Sequence, residues 1–161
     1  MNNLAAVIFF MMVVVIQYCW ASFCAVYGIA PDLVLIAVIY VSLTRGAMQG
    51  QLFGFGWGIA WDVLSGDLFG AHAFLYTLFG FIIGKLSHKM DETKVFTQAA
   101  LTAVASLAAT GGMYVLYQIF SPQEFTASGN FIIWTRVVLN AALAPLFFSA
   151  VSRFSRRPAE R

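Results

Sequence analysis

Apolar stretches fill nearly the whole chain, interrupted only by single glycines, prolines and short charged groups. Six of them stand out, at about 4–27, 29–44, 47–64, 68–86, 95–120 and 131–151. The first, fifth and sixth reach the ~20 residues that carry an apolar helix across a bilayer core. The middle three hold 16, 18 and 19 residues, at or just below the short end for a span. Gly28 and Pro31, then Arg45-Gly46, then Ser65-Gly66-Asp67 separate them. Such residues end one helix and start the next without a long loop. The pattern predicts an all-α integral membrane protein. It forms a single bundle of six transmembrane helices over residues 1–152, followed by a basic cytoplasmic tail at 153–161.

A shorter period runs through the third stretch. Glycine recurs at 46, 50, 54 and 58, Asp62 falls on the next step, and Gly66 and Gly70 follow. Residues four apart lie on one side of a helix, each turned by about 40° from the last. Gly46, Gly50, Gly54 and Gly58 therefore line a shallow groove, and Gly80 and Gly84 repeat the spacing in the fourth stretch. In lipid, small residues let two backbones approach and gain dispersion contacts. The groove suits packing within this chain first, then docking of a partner helix, then a substrate path. Leucine at Gly54 or Gly58 is expected to overpack the groove and alanine to be better tolerated. Gly56, two positions off the ridge, serves as the control.

Asp62 continues the ridge one turn beyond Gly58, beside Trp61, a residue type that anchors helices at membrane interfaces. Its carboxylate suits a cap on the Ser65-Gly66 turn or on the start of the fourth helix. An ion or proton site fits less well, because no second membrane carboxylate accompanies it. Arg136 lies six residues into the last stretch, where its long stem can reach the interface. A bridge between Asp62 and Arg136 is geometrically allowed. Asn140, four residues after Arg136, shares its face, and Pro145 is expected to bend the helix. That polar face turns inward or toward a partner.

Composition and charge sharpen the picture. The chain has 161 residues, 61% hydrophobic and only 10% charged, with a mean hydropathy of +0.83. That leaves too little polar surface to cover a water-soluble globule, whose charged share is about 25%. With the N-terminus in the cytoplasm, eight of the nine basic residues fall on the cytoplasmic side: Arg45, Lys85, Lys89, Lys94, Arg153, Arg156, Arg157 and Arg161. Asp32, Asp67 and Glu124 fall outside, with no Lys or Arg beside them. This distribution obeys the positive-inside rule and places both ends in the cytoplasm. Five spans would put basic loops on opposite sides. The longest polar connections are SHKMDETK and SPQEFTASGN, and neither can fold as a module.

Little here points to chemistry. No nucleophile pairs with a base, no carboxylates pair with each other, and no His or Cys spacing suits a metal. His72 and His88 are isolated, and His72 reads as a satisfied polar residue at a helix end. Cys19 and Cys24 point about 140° apart on one helix, which disfavours a disulfide. The first stretch lacks the basic region and cleavage site of a signal peptide and reads as a retained helix. The few basic residues give no footprint for nucleic acid. No enzyme, cofactor or metal centre is expected. The leading class is a small integral subunit of a larger membrane complex. The alternative is a substrate-binding or energy-coupled subunit of a small-molecule transporter, since short helices interrupted by glycine can hold a small ligand.

The stretch PDLVLIAVIYVSLTRGAMQGQLFGFGWGIAWDVLSGDLFGAHAFLYTLFGFIIGK resembles the MreD family of rod shape-determining membrane proteins. In that family Pro-Asp opens the second span, as Pro31 and Asp32 do here. A third span rich in glycine and phenylalanine ends in aspartate, matched by Gly54, Phe55, Gly58 and Asp62. Gly70 then starts the next span, and Gly80 and Gly84 match a second small-residue pair. The resemblance implies a fold similar to the small-molecule-binding subunits of certain vitamin transporters. It implies a location in the bacterial inner membrane and a non-catalytic role in rod shape and lateral peptidoglycan synthesis. The implied partners are the membrane-anchored scaffold MreC, the actin-like MreB, and the peptidoglycan polymerase and transpeptidase of the elongation complex. Combined with the reading of the residues, the candidates for packing or partner contact are Pro31, Asp32, Gly50, Gly54, Gly58, Asp62, Gly66, Gly70, Gly80, Gly84, Arg136 and Asn140.

Overall fold

A computed structural model describes residues 12, 15–19, 30–66, 68–90, 94–120 and 130–155. Six helices make an all-α bundle. Helix α1 is described at residue 12 and over 15–19; the others are α2 (Leu33–Arg45), α3 (Ala47–Ser65), α4 (Ala71–Leu86), α5 (Val95–Phe120) and α6 (Asn130–Ser155). A short 3-10 turn, Ser87–Lys89, follows α4. The extent of the first stretch over 4–27, Cys24, Asp67, residues 91–93, the 121–129 connection with Glu124, and the tail beyond 155 lie outside the described residues.

The helix starts differ from the sequence reading for local reasons. The second helix begins at Leu33 rather than at 29, because buried Pro31 precedes the cap and the Asp32 side chain closes the first turn. The fourth begins at Ala71 rather than 68, because Gly70 takes a left-handed conformation (φ 90°) as its N-cap. Gly46 was read as the head of the groove; it is instead the hinge between α2 and α3. Its φ of 84° and ψ of −179° lie in a region essentially closed to residues with a Cβ. Its N–H donates to the Ser42 carbonyl (3.0 Å), so one residue both ends α2 and starts α3.

Helix α2 is the centre. Val34, Leu35, Ile36, Ala37, Val38 and Ile39 are all buried in succession, so every face of this helix meets protein, as its all-round apolar sequence requires. Helices α3 and α4 pack antiparallel against each other in the most extensive contact of the molecule and both lie on α2. Helices α5 and α6 form the other hairpin. α6 buries Val137, Asn140, Ala144, Phe148 and Val151, one stripe at helical spacing, and Phe148 meets the Tyr40 ring edge-on at 5.1 Å. α6 continues through Pro145.

Unlike a water-soluble bundle, the molecule is apolar outside as well as in its core, and α1 and α5 turn polar side chains inward. Among the described residues of α1, Gln17 is the buried one, while Met12, Val15, Ile16 and Tyr18 are exposed. The buried residues of α5 are Gln98, Thr102, Ala105 and Ser106, whereas Phe96 is 83% exposed. Phe69, Met48 and Leu146 are likewise exposed. Such a distribution is stable where the surroundings are lipid. Two of the helices are by themselves long and apolar enough to cross a membrane: Val95–Phe120 and, within α6, Ile133–Arg153. The apolar helices α2 and α4 are shorter, with 13 and 16 residues.

Candidate functional site

The glycine ridge is a seam between two backbones. The buried residues of α3 are Gly50, Gly54, Gly58 and Asp62. A Cβ on Gly54 would lie 2.7 Å from the Tyr76 carbonyl carbon, and one on Gly58 2.7 Å from the Ala73 nitrogen. Gly50 and Gly80 face each other across the seam, Gly50 also meeting Ser42, and Gly84 abuts Ala47. Gly56 faces open space. Gly66 and Gly70 also have room around them; their φ of 69° and 90° are what suit glycine there. Alanine, expected to be better tolerated than leucine, is still costly at Gly54 or Gly58, because a single Cβ already meets main chain, which cannot rotate away.

Asp62 closes the seam. Its side chain is fully buried and sits over the start of α4. One oxygen accepts the N–H groups of Gly70 (3.0 Å) and Ala73 (3.1 Å). The other accepts the His72 N–H (3.1 Å) and lies 2.8 Å from His72 Nδ1. The Ala71 N–H donates to the Leu68 carbonyl. All four N–H groups that a helix leaves unpaired at its start are therefore satisfied. Gly70, the N-cap itself, has no side chain, so a carboxylate from the neighbouring helix does the capping. A negative charge there is further favoured by the helix dipole. Of the two caps read from the sequence, the structure has the one on the fourth helix, and His72 is the satisfied end residue it was read to be.

A second capped start lies beside the first. Asp32 accepts the Leu35 N–H (2.9 Å) through one oxygen and the Tyr76 hydroxyl (2.8 Å) through the other. Its own N–H donates to the Asn140 side-chain oxygen (2.8 Å), and the Leu33 N–H donates to Gln17 (2.8 Å). Asn140 passes its amide on to Ser106 Oγ (2.9 Å). Helices α1, α4, α5 and α6 thus all reach the start of α2, directly or through one residue. The rings of His72 and Tyr76, one turn apart on α4, are 5.6 Å apart and join the two caps; Trp61 meets His72 from the other side. The polar face of α6 divides. Asn140 turns inward, while Arg136 is exposed.

Asp62 and Arg136 are not bridged. Donors from α4 occupy both oxygens of Asp62, with the His72 ring nitrogen 2.8 Å from one of them. Losses at Asp62 and Arg136 are therefore expected to add. A double-mutant cycle on thermal stability of the purified protein should show coupling within ~0.5 kcal/mol of zero, as for residues that make no direct contact. Coupling well beyond that would require a contact the structure lacks.

Gln17 and Tyr76 escaped the sequence reading, and Ser106 was weighed there only as a nucleophile without a base, whereas its hydroxyl accepts from Asn140. Gln17 carried a signal, as the lone amide inside an apolar run. Tyr76 carried none, since a tyrosine in a membrane helix is ordinary.

The site is a packing and capping device. The carboxylates accept main-chain N–H groups, and the described residues hold no group of three or more His, Cys, Asp or Glu able to bind a metal. No curated protein and no solved structure matches the chain. The family model described as rod shape-determining protein MreD matches residues 1–157, nearly the whole length. That match spans both glycine helices, both capping aspartates and Asn140, and it decides between the two function classes left open by composition. The chain belongs to the MreD family, as a non-catalytic membrane subunit serving rod shape in the elongation complex rather than as a transporter subunit or an enzyme.

Proposed function

We propose that the chain crosses the bacterial inner membrane six times, with both ends and the 87–94 connection in the cytoplasm. In this reading it is a rigid intramembrane scaffold of the elongation complex. An MreC-like membrane-anchored protein meets it directly. An MreB-like filament and the peptidoglycan polymerase and transpeptidase act with it in the same complex.

The observation that carries this reading is where the polar groups go. Asp32, Asp62, Asn140, Ser106 and Gln17 engage helix ends and one another, while the helices present apolar side chains outward. A partner with a single membrane helix therefore meets lipid-facing helix surfaces. In lipid, close packing of such surfaces holds helices together. The seam between α3 and α4 is occupied by the chain itself, which favours internal packing as the role of the glycines. The candidate residues Pro31, Gly50, Gly80 and Gly84 then serve the partner indirectly, by fixing the shape of the bundle.

Cysteine accessibility in a variant lacking Cys19 and Cys24 tests the topology. A cysteine at Ser87 should be labelled only from the cytoplasmic side and one at Ser128 only from outside. External labelling at Ser87 would refute the arrangement. Co-purification of the MreC-like partner with the full chain from membranes is the matching test of contact. Its loss on removing the partner's membrane helix is the expected outcome.

A further inference from the structure

The lipid-facing surfaces of the molecule differ in height. Helix α5 has 26 residues, about 39 Å at 1.5 Å per residue. Its apolar exposure runs from Val95 and Phe96 to Ile119 and Phe120. On α3 the exposed apolar side chains begin at Met48 and end at Leu64, a rise of about 24 Å. Helix α4 is shorter still, and its cytoplasmic end carries an internal marker of depth. The ammonium of exposed Lys85 lies 4.5 Å over the Phe81 ring, one turn back into the helix. An ammonium resides in water or among headgroups, so Lys85 marks the end of this apolar wall, beside Ile82 and Leu86, the last exposed apolar side chains of α4. Across the seam Gly84 abuts Ala47, so exposed Met48 stands near the same level on α3. At the other end Asp62 and His72 mark the start of α4, and Phe69 stands exposed at the tip of the hairpin.

From Ala71 to Leu86 the rise is about 22 Å, against a hydrocarbon core of about 30 Å. The seam forbids the usual remedies. A lone short helix can slide along its neighbour toward one interface, but Gly50, Gly54, Gly58 and Gly84 lock α3 and α4 backbone to backbone at one register, and Asp62 pins their outer ends. The lipid must adapt, as it does around short hydrophobic surfaces.

We propose that the α3–α4 face takes a thinned annulus of lipid, so that the protein sits in the membrane with a step in hydrophobic height between this face and α5. The surface lipid here is held by shape: a short apolar wall bounded by Lys85 at one end and by the Asp62-capped tip at the other. This rests on the membrane-spanning reading above, and the test separates the two.

Spin labels are placed singly at Met48, Phe55 and Leu64 on α3 and at Phe96, Val104 and Val115 on α5. The host is the full chain without its native cysteines, in vesicles of dioleoyl phosphatidylcholine. Accessibility to oxygen against a polar nickel chelate reports depth. Met48 and Leu64 are expected at the two interfaces, about 24 Å apart along the helix, with Phe55 deep and freely reached by oxygen. Val104 and Val115 are both expected deep. Met48 or Leu64 reading as deep as Val104 would overturn the thinning. So would Phe55 shielded from oxygen, which would mean that protein covers the face. An α5 with no oxygen-rich zone at all would instead overturn the spanning reading, and the inference with it.

Discussion

Gly54→Leu and Gly58→Leu are expected to remove most of the folded protein from the membrane, while Gly56→Leu leaves it at the wild-type level. The cause is main chain against main chain. A Cβ at Gly54 meets the Tyr76 carbonyl and one at Gly58 meets Ala73, each well inside the 3.4 Å at which ordinary contact begins. Relief requires the two helices to part by roughly 1 Å, which forfeits dispersion along the whole seam. Overpacking in a forgiving core costs about 1–3 kcal/mol. Here widening also loosens Gly50 against Gly80 and lifts Asp62 from its donors, so the upper end applies. Against a total stability of about 5–15 kcal/mol, membrane abundance should fall several-fold. Alanine at either site is expected to be harmful too, though less than leucine. Quantitative immunoblotting of membranes, with thermal unfolding of the purified chain, checks this series. Equal abundance for all three leucine variants would show that the seam does not hold the bundle.

Asp62→Leu is expected to be the most damaging single change outside the glycines. It strands the N–H groups of Gly70, His72 and Ala73 and leaves the His72 ring without its acceptor. Each buried unpaired group costs about 1–3 kcal/mol. Measured hydrogen bonds in membrane bundles average only about 0.6 kcal/mol, because the reference state finds other partners. Four such bonds at even that lower value make a loss of roughly 2 kcal/mol, and the buried start of α4 offers few substitutes. Asp62→Asn keeps the shape and one acceptor oxygen. Its amide group, however, faces N–H donors, and the charge at the helix start is lost. Its melting temperature should fall between wild type and Asp62→Leu. An asparagine variant as damaged as the leucine one would assign the role to the charge itself, beyond capping.

Much of this was legible in the sequence because the informative features are local. A period of four glycines ending on a carboxylate can be read from one stretch of chain, and it named the buried face of α3 correctly. The start of α2 was read at 29 from the apolar run, and only the family resemblance pointed to Pro31-Asp32 as its opening. Distances and pairings were not legible. The sequence identified which side of α3 is small but not how near α4 comes, so the cost of even a single Cβ could not be read from it. Asp32 and Asn140 are 108 residues apart, and Tyr76 lies 44 residues from Asp32. No spacing encodes such meetings; they follow from the packing of α4 and α6 around α2. Asp62 and Arg136 share a region by topology, yet α4 donors reach Asp62 first and Arg136 faces outward. Gly46 shows the limit of periodicity, since it fits the ladder by spacing and serves the hinge by its backbone.

Cell shape after removal of the gene from its rod-shaped host is the measurement closest to the central claim. A non-catalytic membrane subunit of the elongation complex should be required for lateral wall growth whatever the nutrients supplied. Round or swollen cells are expected, restored to rods by the intact chain and by Gly56→Leu but not by Gly54→Leu. Cells that kept their rod shape while losing uptake of one vitamin or other metabolite would contradict that claim.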